Sequence, residues 1–204
     1  MAGVWAVVVA GGTGSRFGGS KQRALLGGRP VLDWSVAAAR AACEGVVVVV
    51  APGETYAGAP TVVGGATRSE SVRNGLAAVP AEVEVIVVHD AARPLATPEL
   101  FAVAVAAVRA GADAAVCTVA VTDTLRGPRG TVDRDGLAAV QTPQAFRAAA
   151  LRAAHAGGDS ATDDATLVER MGGRVVTVPG DPRNIKITYA HDLAVATALL
   201  GDEG

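Results

Sequence analysis

Apolar runs of strand length recur along this chain without alternating: Val4–Ala10, Val46–Ala51, Val83–His89, Ala114–Val119 and Val175–Val178, with a shorter one at Thr61–Val63. A strand with one face in water alternates apolar and polar residues, so unbroken runs require a sheet covered on both faces. Helix-like stretches separate them, at Pro30–Ala42, Ser69–Val79, Pro98–Ala110, Arg147–Ala156, Ala165–Met171 and Ala190–Leu200. Strand and helix alternating at this pitch predict an α/β fold, a mostly parallel doubly wound sheet with helices on both faces. Half the residues are hydrophobic but only 3% are aromatic, and Ala and Val suit the tight layers of such a fold. At 204 residues the expectation is a single domain over 1–204.

One stretch breaks the rhythm. TDTLRGPRGTVDRDG, from Thr122 to Gly136, is polar and rich in glycine, and a short strand candidate follows at Leu137–Gln141. It reads as a hairpin-like β-arm at about 122–141, an excursion from the main sheet, because apolar residues return directly after it. The net charge of -2 offers no general attraction to nucleic acid or acidic membranes, so neither is expected as a partner and anion binding must be local. Cys43 and Cys117 show no metal spacing and read as buried reduced thiols. No segment reaches about 18 uninterrupted apolar residues and none resembles a targeting signal, which together predict a cytoplasmic protein.

The loop after the first strand, AGGTGSRFGGSKQ, places Gly11, Gly12 and Gly14 where backbone N–H groups can converge on an anion, with positive φ open to them. Arg16 and Lys21 add full charges at the same rim. Two common phosphate templates fail: a dinucleotide fingerprint from Gly12 needs glycine at Phe17, and a P-loop from Gly14 needs lysine at Ser20. Glycines and cations together at a strand's carboxyl end still mark the usual ligand crevice of an open α/β sheet.

Further candidates end other strands. In HDAARP, Asp90 suits a divalent metal or a ligand hydroxyl, and Arg93 a bidentate phosphate contact, although a turn cap and an ordinary loop explain them equally. In GGATRSESV, Gly64 and Gly65 permit close approach of a ring or phosphate and Ser71 offers a hydroxyl, or the stretch is a glycine turn entering a helix. Arg126, Arg129 and Arg134 stud the arm and are otherwise solvated side chains. Lys186, between Ile185 and Ile187, faces a cleft or solvent from an alternating strand. Thr162-Asp163-Asp164 is accounted for as a helix cap. The histidines lack spacing for a metal or catalytic pair, and no nucleophile with its base is legible. Glycines and cations around a carboxylate suit phosphoryl or nucleotidyl transfer.

These motifs, with VDRDGL-x-x-x-QTPQ-x-F from Val132 to Phe146, TDD at Thr162 and NIKIT at Asn184–Thr188, follow an order that resembles the 2-C-methyl-D-erythritol 4-phosphate cytidylyltransferase family. The resemblance covers essentially the whole chain and implies a Rossmann-like fold, CTP and methylerythritol phosphate as substrates, and Mg²⁺ as the metal. It assigns catalysis to Arg16, Lys21, Arg134 and Lys186. Backbone at Ala10, Gly11, Gly12, Gly14, Gly64 and Gly65, with Ser71, is implied to hold CTP, and Asp90 to border ribose, metal and the alcohol. Arg93, Arg134, Thr162 and Lys186 are implied to bind substrate, Arg134 and Thr162 across the interface of a homodimer that exchanges arms. Ser20 stands where the family commonly has proline, which implies a slacker Lys21, and Ala66 where an acidic residue often follows the glycine pair. Rival readings are a cytidylyltransferase for another polyol phosphate such as ribitol 5-phosphate, and a nucleotide-binding module without chemistry; the latter expects the loop cations to be lost, and both are present.

Overall fold

The structure is a computed structural model and describes residues 3–12 and 16–201. β1 (Val4–Val9) runs into the glycine loop, after which β2 (Leu25–Leu26) and β3 (Arg29–Pro30) form a small ribbon leading to α1 (Val31–Ala42). The alternation continues through β4 (Gly45–Val50), β5 (Thr61–Val63), α2 (Arg68–Ala77), β6 (Val85–Asp90), α3 (Pro98–Arg109) and β7 (Ala114–Ala120). The arm follows as a separate two-stranded ribbon, β8 (Leu125–Gly127) with β9 (Gly130–Val132). β10 (Ala138–Arg147), α4 (Ala148–Ala156), α5 (Asp164–Arg170), β11 (Val175–Pro179) and α6 (Asp192–Gly201) complete the order.

Seven strands form one sheet in the order β11-β7-β10-β6-β1-β4-β5. Every pairing is parallel except those of β10, which runs antiparallel to both β6 and β7. The period of two divides each unbroken run between two cores. Ala6, Val8, Val48 and Val87 pack with Val36 of α1 and Phe101 and Ala104 of α3. On the other face Val7, Val49 and Ile86 pack with Leu76 of α2, Leu151 of α4 and Leu167 of α5. Each valine so buried is worth about 1.5–3 kcal/mol relative to exposure, which is why these runs are so rich in valine.

Three local expectations are corrected. The Lys186 segment is not a strand: residues 184–188 are irregular, although Ile187 is buried and Lys186 exposed as alternation requires. Ile187 N–H donates to Ala92 O (2.8 Å), and its side chain packs with Leu26, Val31 and Ala196 in a third small core. The strand expected at Leu137–Gln141 is the exposed start of ten-residue β10, whose buried half inserts between β6 and β7 after a register break between Val140 and Gln144. The helix expected from Ser69 to Val79 runs instead from Arg68 to Ala77, with Thr67 as its cap in a capping box with Glu70.

Candidate functional site

From β1 the chain moves outward to β4 and β5, then returns to β6 on the other side of β1. The loops after β1 and β6 therefore part in opposite directions and leave a crevice at the carboxyl ends of the strands. Ala10, Gly11 and Gly12 leave β1 there, Gly64 and Gly65 follow β5, and Asp90 ends β6. A cleft of about 320 Å³ opens at this edge, lined among others by Arg68, Asp90, Arg93, Thr142, Thr162 and Lys186. A larger cavity of about 390 Å³, between α1, the Pro94–Pro98 turn and α6, is mostly apolar and does not gather the residues singled out by the sequence.

Asp90 is the electrostatic centre. One carboxylate oxygen accepts from Lys186 Nζ (2.6 Å) and the other from Arg68 Nε (3.3 Å). Burial alone would raise its pKa, but Arg68 and Lys186 outweigh burial and hold the carboxyl well below the usual range, so Asp90 is ionised. Thr142 Oγ1 accepts from Asp90 N–H (3.0 Å) and lies 3.2 Å from His89 Nδ1. Burial pushes the His89 pKa down to about 4, so this ring is neutral at neutral pH.

Lys21 joins the same field. Its ammonium donates to Ile187 O (3.1 Å), and its pKa is lowered first by burial, then by nearby Lys186 and Arg16, against the pull of Asp90 and Asp192. Arg16 is exposed in the turn preceding it. Gln22, which sequence reasoning passed over, donates to Ala10 O (2.8 Å) and Gly12 O (3.2 Å) and so ties the start of the loop to its end. Ser20 Oγ donates to Glu54 Oε1 (3.3 Å), an oxygen that also lies 3.5 Å from Arg23 Nε. The loop therefore has a tether where proline was expected to supply stiffness.

Gly11, Gly64 and Ser71 converge. A Cβ at Gly64 would meet Ser71 Oγ at 2.8 Å, and one at Gly11 would lie 3.6 Å from the same oxygen. Ser71 Oγ accepts from Gly65 N–H (3.1 Å) and donates to Thr67 O (2.9 Å). The expected positive φ is absent at Gly11 and Gly12, and Gly64 is required by close approach. Gly14 lies outside the described residues.

Arg93 lines the same cleft and is also bound into the fold behind it. It is buried, with Nη1 donating to Asn184 O (2.6 Å) and Nη2 to Val140 O (3.2 Å), and burial lowers its pKa. Asn184 donates in turn to Gln141 Oε1 (3.3 Å) and Thr142 O (2.9 Å), while Gln141 Nε2 donates to Asp181 O (2.8 Å). This buried network holds residues 181–188 against β10 and so sets where Lys186 stands. Gln141 and Asn184 were visible only as letters of motifs, since a side-chain network between segments forty residues apart leaves no local pattern.

Thr162 lines the cleft, and Asp163 caps α5 through Thr166 N–H (2.9 Å), as the sequence suggested. Arg134 does not line the cleft of its own chain; it is exposed, and its Nη1 donates to Thr122 O within the arm. Leu125, Val132, Leu137 and Val140 leave apolar surface exposed on and beside that arm. Among the described residues no group of three or more His, Cys, Asp or Glu side chains could hold a metal ion. A Mg²⁺ ion at Asp90 would have that one carboxylate, which fits an ion that takes most of its ligands from water and substrate phosphates. No helix among the described residues is long and apolar enough to cross a membrane.

The family model described as 2-C-methyl-D-erythritol 4-phosphate cytidylyltransferase matches residues 4–202. The protein of that name from Frankia casuarinae is 44% identical over 215 residues, covering 97% of this chain and 81% of the relative. The bifunctional enzyme IspD/IspF of Solidesulfovibrio magneticus is also 44% identical, over 94% of this chain but 56% of its own length. The chain thus spans little more than half of the bifunctional relatives it matches. The crystal structure of 2-C-methyl-D-erythritol 4-phosphate cytidylyltransferase from Thermus thermophilus superposes with a TM-score of 0.83 at 38% identity, over 96% of this chain and 98% of that one.

Proposed function

The chain belongs to the 2-C-methyl-D-erythritol 4-phosphate cytidylyltransferase family, and on that premise we propose that it joins CTP to 2-C-methyl-D-erythritol 4-phosphate, releasing pyrophosphate, in isoprenoid precursor synthesis. A phosphate oxygen of the alcohol forms a bond to the α-phosphorus as the bond from that phosphorus to the β-phosphate oxygen breaks, its electron pair leaving with pyrophosphate. The attacking oxygen is already an anion, so no general base is required. The protein's work is to align two polyanions and balance the charge that shifts to the leaving group.

The observation that carries this reading is the geometry at Asp90, whose carboxylate holds Lys186 (2.6 Å) and Arg68 (3.3 Å) in the cleft while Lys21 is bonded to Ile187 O, the residue after Lys186. Such a cluster is costly until an anion enters it. Lys21 and Arg16 then stabilise the α-phosphate and leaving pyrophosphate, and Lys186 releases Asp90 to meet phosphate. Ala10, Gly11, Gly12, Gly64, Gly65 and Ser71 hold the nucleotide at the carboxyl ends of β1 and β5, with Gly14 assigned to the same loop on sequence alone. Arg93 and Thr162 border the alcohol phosphate. Asp90 would hold Mg²⁺, and the ion would supply charge neutralisation when bound.

The chain acts as one nucleotidyltransferase domain in the cytoplasm, a placement supported by its unpaired cysteines. It works as a homodimer: the exposed Leu125, Val132, Leu137 and Val140 call for a cover, and Arg134 enters the neighbour's site from the arm. Pyrophosphate release with CTP, Mg²⁺ and the alcohol phosphate tests the reading. Arg16→Ala and Lys21→Ala are expected to lower kcat by about a hundredfold or more, in the range of other lost transition-state contacts. Unchanged turnover in both variants, or a preference for ribitol 5-phosphate over methylerythritol phosphate, overturns it.

A further inference from the structure

Behind Asp90 lies a chain of polar side chains to which the transfer mechanism assigns no role. Arg68 uses adjacent edges of its guanidinium, donating through Nε to Asp90 Oδ1 (3.3 Å) and through Nη1 to Asp164 Oδ2 (2.7 Å). The other oxygen of Asp164 lies 3.0 Å from His155 Nε2. Asp164 is 0% exposed and His155 2%, whereas Arg68, at 24%, lines the cleft. With both its oxygens engaged, Asp164 cannot turn, and the planar fork of Arg68 is aimed at Asp90.

We infer that Arg68, held by Asp164 and His155, is a positioning residue for the transfer: by occupying one oxygen of Asp90 it leaves Lys186 free to exchange the other oxygen for an anionic substrate. The inference rests on the functional reading above and deepens it. A carboxylate shared between two cations grips neither with its full charge. Without Arg68, Asp90 and Lys186 close into a one-to-one pair in a partly desolvated cleft, and the ammonium is withheld from the phosphates. Lysine at position 68 cannot replace the fork, because one ammonium does not span both carboxylates in the same geometry. His155 and Asp164 act only through Arg68, since neither lines the cleft.

The test compares Asp164→Asn, Arg68→Lys and their combination by steady-state kinetics at a temperature where circular dichroism shows each variant folded. Each single change is expected to lower kcat about tenfold with KM for CTP moving less than about threefold, the signature of a contact that counts in the transition state. The double variant is expected to fall no further than the worse single, because both changes act through one group. Wild-type kcat with only a lowered melting temperature, or losses that multiply, overturns the proposal. A crystal structure of unliganded Asp164→Asn supplies an independent arm: Arg68 should have left Asp90 while Lys186 remains, and Arg68 still on Asp90 overturns the proposal. If the wild-type chain turns over neither alcohol, the functional reading falls, and the crystal structure still decides whether Asp164 aims Arg68.

Discussion

An ammonium lodged among other cations gives up its proton more readily than one in water, and Lys21 is such a group. Burial lowers its pKa from 10.5, with Lys186 and Arg16 lowering it further. The charged form is the one that neutralises phosphate, so a lowered pKa means that charge is lost at a lower pH than for free lysine. The alkaline limb of a kcat/KM profile, which reports the free protein, is therefore expected to turn down before pH 10.5 and to disappear in Lys21→Arg, whose guanidinium stays charged. A profile flat through pH 10.5 would refute the role given to this amine. At the same scale, Arg93 has a second part that its residue type does not disclose. Loop arginines suggest phosphate, yet its donors serve Asn184 and Val140 carbonyls and fasten the segment that carries Lys186.

α2 carries Arg68 and Ser71, and its placement depends on two details that differ in legibility. Thr67-x-x-Glu70 is a capping-box pattern, present in the sequence, and it sets the helix start at Arg68, one residue before Ser69. Gly75 is not explained by pattern. There the helix lies so close to the sheet that a Cβ would fall 2.5 Å from Val7 Cγ1 and 2.9 Å from Val49 Cγ2. Alanine is the better helix former by about 1 kcal/mol, but overpacking a dense core costs about 1–3 kcal/mol. Gly75→Ala is therefore expected to destabilise the protein by up to about 2 kcal/mol in urea unfolding; a gain in stability would show that the helix retreats at little cost. Residues 184–188 give the complementary lesson. Alternation reported correctly which side chains are buried, but a strand also needs a ladder partner, and the residues there bond instead to Ala92 and Gln141.

For the whole molecule the decisive question is which chain completes which site. Arg134 is bound to Thr122 of its own arm and does not line its own cleft, while Lys21 belongs to the field of Asp90. If the arm works in trans, a mixture of inactive Lys21→Ala and Arg134→Ala chains regains activity, because in a mixed dimer one of the two sites has both residues intact. Equal mixing with free exchange should restore about a quarter of the wild-type activity, since half the dimers are mixed. No recovery, with dimer exchange verified by mass, would assign Arg134 to its own subunit or to no site.

The unbroken apolar runs required a sheet covered on both faces, and ordered motifs placed glycines and cations at its carboxyl edge, because burial and turn chemistry act on neighbours in the chain. The positions of β10 between β6 and β7, of Arg68 on Asp90 backed by Asp164 and His155, and of Lys186 through Gln141 and Asn184 came only with the tertiary structure. Most of those contacts join residues tens of positions apart, and a charge or an amide leaves no trace in sequence of the distant group that will satisfy it.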